Sequence, residues 1–133
     1  MTNPLSQILA QSLCAYLVRL PLRFPIEHSL AQNTHTNSLV IRLTDSSGLT
    51  GYGEGVPRSY VTGETTEKSL AFIREQAEVL FFGQSIDPHD ALGWLVNKLP
   101  PEALDQAPAA ACALETALMD LAGRKLGQPV SAL

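Results

Sequence analysis

Between Gly48 and Glu64 the chain reads GLTGYGEGVPRSYVTGE, with four glycines crowded into the stretch from Gly48 to Gly55 and a fifth at Gly63. Backbone this bare can cradle a phosphate. A dinucleotide site, however, needs its glycine fingerprint directly between a strand and a helix, because the helix N-terminus holds the pyrophosphate. Here Gly51, Gly53 and Gly55 lead into Val56-Pro57 and a loop, and helical periodicity resumes only about ten residues later. No GK[ST] ending makes a Walker loop either. Glycines at alternate positions of a strand instead leave one face bare, so that another backbone can come close. Glu54 points to the other face and reads as a structural carboxylate bonded to backbone amides or an arginine.

The remaining reactive side chains form no site of their own. Cys14 and Cys112 lack a second Cys or a His at metal-ligand spacing, so they read as free thiols buried as small hydrophobes and not as a disulfide or a zinc site. His35 and His89 are ordinary surface histidines, and Trp94 lies beside an apolar helical stripe where packing explains it. The acidic residues do not stand at the ends of successive strands, where they could hold a divalent cation. No catalytic residue, metal ligand or cofactor is assigned to this chain.

The elements that position these residues follow from periodicity. CAYLVRLPLR (residues 14–23) sets Tyr16, Val18, Leu20 and Leu22 on one face as a half-buried strand, and Pro21 puts that strand at a sheet edge. The polar, aperiodic stretch from Phe24 to Asn37 reads as a long loop. SLVIRLT (residues 38–44) is a second strand with Leu39, Ile41 and Leu43 on one side, and DSSG turns it into a third strand ending GYGEG. Thr65 or Thr66 then caps a helix ending at Gly83. Asp87 and Pro88 open a second, stopped by Pro100-Pro101, and Pro108 opens a third that ends at Gly127. The expected fold class is α+β, a three-stranded antiparallel sheet followed by a three-helix bundle packed on one face.

Composition bounds the partners. A chain of 133 residues with 45% hydrophobic and 17% charged residues is one globular domain. The formal charge of −4 supplies no basic stripe for a nucleic acid. No apolar run reaches a membrane span, and the N-terminus lacks the features of a signal peptide, so the expected location is cytoplasmic.

Taken together, LPLRFPI, GYGEG, VPRSYVTGE and above all AAACALETALMDLAGRKLGQPVSAL resemble the N-terminal domain of the mandelate racemase and muconate lactonizing enzyme group of the enolase superfamily. The likeness covers residues 13–133, leaving 1–12 as an N-terminal extension, and YVTGET (Tyr60–Thr65) most resembles the dipeptide epimerase and cycloisomerase branch. It implies a domain that caps the mouth of a separate barrel, where lysine bases remove a proton α to a carboxylate and Mg²⁺ stabilises the enolate. It also implies that Ile26, His28 and Ala31 in a first loop, and Tyr60 and Val61 in a second, face the small carboxylate substrate.

The barrel itself is expected to be absent from these residues, which stop at Leu133 after GQPVSAL. Lys68, Lys98 and Lys125 are the only lysines and do not match the family's paired bases. The expectation is therefore a specificity domain, inactive alone, whose partner is the barrel of a parent enzyme. The alternative is a stand-alone binding module that keeps the cap fold and pairs with a copy of itself. A cap without its barrel is expected to expose apolar surface near Ile26, Val61 and the alanine-rich helix, and to form homo-oligomers.

Overall fold

The computed structural model describes residues 6–28 and 31–133. Three strands, β1 (Ala10–His28), β2 (Ala31–Asp45) and β3 (Thr50–Gly55), form an antiparallel sheet in the order β1-β2-β3. The alternation in β2 holds, with Leu39, Ile41 and Leu43 fully buried. The turn that follows is closed by the Gly48 amide donating to the Asp45 carbonyl at 3.0 Å, and Gly48 takes φ 85°, which glycine adopts without strain.

Two expectations about β1 fail. Leu13, Ala15 and Leu17, which pair with Leu43, Ile41 and Leu39, share the face of those buried residues, and Tyr16 and Leu20 lie on the other, but this edge strand is bare on both sides: Leu17 is 49% exposed, Tyr16 42% and Leu20 45%. Six apolar residues in succession, Leu13 to Val18, fit either phase of a period-two pattern, so alternation could not choose the face. Nor is the stretch from Phe24 to Asn37 a loop. The two strands continue past the sheet as a β-ribbon, with Glu27 opposite Gln32 and a register irregularity between Pro21 and Ile26. A ribbon standing clear of the core solvates both faces, which erases the hydrophobic period while leaving the backbone pairing intact.

The helices cover the other face of the sheet. The Thr65 side chain accepts from the Lys68 amide at 3.2 Å and starts α2 (Thr66–Leu80); a single helical turn, α1 (Ser59–Thr62), precedes it. Asp87 accepts from the His89 amide at 3.0 Å, and a 3-10 turn through Pro88–Asp90 runs into α3 (Ala91–Lys98). After the short α4 (Ala103–Gln106), α5 (Pro108–Leu126) ends on Gly127 at φ 64°, with Gln128 donating back to the Gly123 carbonyl at 2.9 Å. Upstream of residue 13, Ile8 is fully buried and exchanges two backbone hydrogen bonds with Ile86, at 2.8 and 3.0 Å.

The glycine run meets α5. A Cβ built on Gly53 would strike the Ala113 carbonyl, one on Gly55 the Ala109 carbonyl, and one on Gly51 the Ala117 carbonyl. Strand and helix are commensurate here: two strand residues advance about 6.7 Å and four helical residues about 6 Å. Each glycine therefore finds the next turn of the same alanine stripe. On the outer edge of β3, the Tyr52 amide donates to Asp120 at 2.8 Å and the Glu54 amide to Thr116 at 3.3 Å. One helix thus fills the bare face and satisfies donors of an edge strand that would otherwise be open.

A buried ion pair joins the far end of α5 to the β2–β3 turn. Lys125 Nζ lies 2.7 Å from Asp45 Oδ2, while Asp45 Oδ1 accepts from the Ser47 amide and hydroxyl and from the Leu49 amide. Burial works to raise the Asp45 pKa, but the bonds from Lys125 and Ser47 outweigh it and hold the carboxyl below its ordinary value of 3.8. A depressed folded-state pKa adds stability that is complete above that ordinary value and is lost as pH falls through the lower one. Lys125→Met is expected to destabilise the domain by roughly 1.5–3 kcal/mol, the worth of a charge-assisted bond, since Ser47 and Leu49 still hold the carboxylate. Denaturation midpoints measured at neutral pH and in acid check this: the gap between variant and wild type narrows below pH 3.8.

Candidate functional site

Two segments that are remote in sequence converge at one end of the sheet. The ribbon supplies one wall and residues 56–67 the other, around a cleft of about 420 Å³. Ile26, Asn33 and His35 line it from the ribbon, with Arg58, Tyr60 and Glu67 opposite. Asn33 Nδ2 donates to the Tyr60 hydroxyl at 3.1 Å, bridging the walls directly. An apolar side chain beside amide, imidazole, guanidinium and phenol groups can seat a small molecule with both apolar and polar parts.

Of the residues named by resemblance, Ile26 and Tyr60 line this cleft. Val61, 66% exposed, stands one residue on and borders a neighbouring hollow with Gly55 and Pro108. His28 and Ala31 are backbone partners at the end of the ribbon. The first segment is therefore a ribbon and not a loop. Asn33 and Arg58, which the sequence reading passed over, share the cleft with Ile26 and Tyr60.

The residue that fixes the second wall also went unnoticed. Glu64 is 1% exposed; Oε2 accepts from the Ala109 amide at 2.7 Å, and Oε1 from the Ala110 amide at 3.0 Å and the Ser69 hydroxyl at 2.7 Å. Ala107, at the N-cap position of α5, has no side chain able to bond these donors. A carboxylate from across the fold takes that role, and its charge suits the positive end of the helix dipole. Its acceptor sites are thereby engaged in holding the wall in place.

Elsewhere several side chains depart from expectation. The alanine stripe of α5 is buried under β3 and offers no docking surface, while Ile26 and Val61 are exposed as expected. Both cysteines are free, but Cys112 is exposed and Cys14 half-buried, so neither is a core thiol. Glu54 does face away from α5, yet its carboxylate has neither an amide nor an arginine partner among the described residues. Trp94 is a packing residue: Nε1 donates to the Leu80 carbonyl at 3.0 Å, and the Lys98 ammonium sits over its ring. Among the described residues no three His, Cys, Asp or Glu side chains gather to hold a metal ion, and no helix is long and apolar enough to cross a membrane.

Comparison with known proteins places this geometry. The family described as mandelate racemase / muconate lactonizing enzyme, N-terminal domain, matches residues 10–133. The N-succinyl-L-Arg/Lys racemase of Bacillus cereus is 30% identical over 115 residues, which are 86% of this chain and 30% of that enzyme. A hydrophobic dipeptide epimerase of Citrifermentans bemidjiense is 32% identical over 119 residues, 90% of this chain and 31% of the epimerase. The structure of the dipeptide epimerase from Cytophaga hutchinsonii, complexed with Mg and the dipeptide D-Ala-L-Val, superposes with a TM-score of 0.78 at 25% identity, covering 94% of this chain and 33% of that one. The chain thus spans about a third of the length of the relatives it matches.

Proposed function

The chain belongs to the mandelate racemase and muconate lactonizing enzyme family, as its N-terminal domain, and from that premise we propose that residues 13–133 cap an active site whose reacting groups another stretch of protein supplies. The reaction we assign to the complete enzyme is epimerisation or racemisation at a carbon α to a carboxylate, with a dipeptide or N-acyl amino acid as substrate and the cytoplasm as its location. The relatives' names support that class. Mg²⁺, when bound in such an enzyme, supplies charge stabilisation of the enolate. Among the described residues no three His, Cys, Asp or Glu side chains gather to hold such an ion, and we assign the ion and the bases to the barrel.

The cap's own work is to exclude water and read the end of the substrate remote from the reacting carbon. Ile26, Tyr60 and Val61, with His28 and Ala31 at the ribbon's end, are the residues to which we assign that reading. The observation that carries it is the Asn33–Tyr60 bond, which draws the two segments to which we assign specificity into one cleft.

A chimera tests this. Replacing the corresponding N-terminal third of the Bacillus cereus racemase with this chain is expected to give an active enzyme with a changed order of preference among dipeptides and N-acyl amino acids. Ile26→Asp and Val61→Asp in that chimera are expected to lower kcat/KM for apolar substrates by roughly 10–200-fold, the worth of one or two pocket contacts. A folded, active chimera that keeps the parent's preferences and ignores both substitutions would refute the assignment.

A further inference from the structure

We propose that Arg58 makes the cleft a carboxylate subsite, so that the substrates it takes are dipeptides or N-acyl amino acids whose remote end carries an acidic group. This assignment rests on the capping role given above and narrows it to one charge type. Among the described residues lining the cleft, Arg58 is the only arginine or lysine. It also borders the hollow beside Val61, and so belongs to both spaces.

Nothing in the fold uses its charge. The residue is exposed, and its guanidinium makes no ion pair, hydrogen bond or ring contact with another described residue. Arg58 occupies the N-cap position of α1 without a side-chain capping bond, and the positive end of a helical turn disfavours a cation. The carboxylates nearby are accounted for in other ways. Glu64 is engaged by the Ala109 and Ala110 amides and the Ser69 hydroxyl. Glu67, in the first turn of α2, suits the positive end of that helix, and it makes no ion pair with Arg58 although both line the cleft.

In an open cleft, water satisfies such a guanidinium. Once a barrel covers the cleft and water is excluded, a charge left without a partner becomes costly, and an anion carried by the substrate removes that cost. The guanidinium offers five donors in a planar fork that matches the two oxygens of a carboxylate, so the fit is geometric as well as electrostatic. Ile26 lines the same cleft and is 52% exposed. A short acyl chain that ends in a carboxylate has the matching apolar and charged parts.

Two ligands of one shape test this in the chimera: an N-succinyl amino acid, and the same compound with its terminal carboxylate converted to the amide. Arg58→Gln is expected to lower kcat/KM, and affinity measured by calorimetry, roughly 10–100-fold for the acid, the worth of a charge-assisted hydrogen bond, and to leave the amide within about threefold. Arg58→Lys is expected to recover part of the loss, since a point charge replaces the fork. Glu67→Gln is expected to raise kcat/KM for the acid roughly two- to fivefold, the worth of removing an exposed like charge. Equal losses for acid and amide, no loss for either, or a Glu67→Gln loss as large as that of Arg58→Gln would each overturn the assignment, the last by making Glu67 and not the substrate the partner of Arg58. Failure of the capping role itself reads differently, as a chimera indifferent to Ile26→Asp and Val61→Asp.

Discussion

Adding one methyl group at Gly53 is expected to cost the domain roughly 3 kcal/mol or more, the upper range for overpacking a filled core. The new Cβ would meet the Ala113 carbonyl, the Ala117 amide nitrogen and the Thr116 hydroxyl. Two of these are backbone atoms inside a 19-residue helix, so no rotamer change relieves the clash. The helix must lift off β3, which would also lengthen the bonds from Tyr52 and Glu54 to Asp120 and Thr116. Net stabilities are typically about 5–15 kcal/mol, so the loss is a large fraction of the whole. The thermal midpoint is expected to fall by about 10 °C or more. Gly63→Ala is the control, for Gly63 has φ 74° and open space around it; only left-handed strain of about 1–2 kcal/mol is at stake there. If Gly53→Ala proves as mild as Gly63→Ala in denaturant titrations, the close approach of helix to strand is wrong.

Glu64→Ala is the other large effect. It strands the Ala109 and Ala110 amides and the Ser69 hydroxyl, which now bond the carboxylate at 2.7, 3.0 and 2.7 Å. Losing a side-chain cap alone costs about 1 kcal/mol. Here the cap is charged, buried and multiply bonded, so a loss of about 3 kcal/mol is expected. Glu64→Gln turns an amide N–H₂ toward one of those donors and is expected to recover only part of it. The distinguishing readout is hydrogen exchange: protection at Ala109 and Ala110 falls more than at Leu118 or Leu121, deeper in the same helix. Uniform loss along α5 would mean that Glu64 is merely one more buried contact.

How much was legible in the sequence depended on whether the signal was local. The alternation of Leu39, Ile41 and Leu43, the Asp-Ser-Ser-Gly turn, and the starts of α2 and α5 at Thr65 and Pro108 are each written within a few residues, and the structure follows them. The ribbon is held by backbone pairs that leave no mark on side-chain composition, and the polar, aperiodic stretch from Phe24 to Asn37 reads as a loop for that reason. Within the cleft, Ile26 and Tyr60 were reachable through a family likeness. Asn33 and Glu64 were not, because their partners lie 27 and 45 residues away and only folding brings them together. Glu54 failed in the opposite sense: local reasoning put it on the correct face but supplied a partner that the fold does not provide.

The stretch from Val56 to Gly63 leaves the sheet at Gly55, against Ala109, and returns at Glu64, which bonds the amides of Ala109 and Ala110. Departure and return are thus pinned to a single turn of one helix. The distance between the two ends is set by that turn and not by whatever lies between them. Lengthening a closed segment costs little, only about 0.6 kcal/mol for each doubling. The eight intervening positions form a cassette that can be exchanged for others of different size and chemistry while the core registers no change.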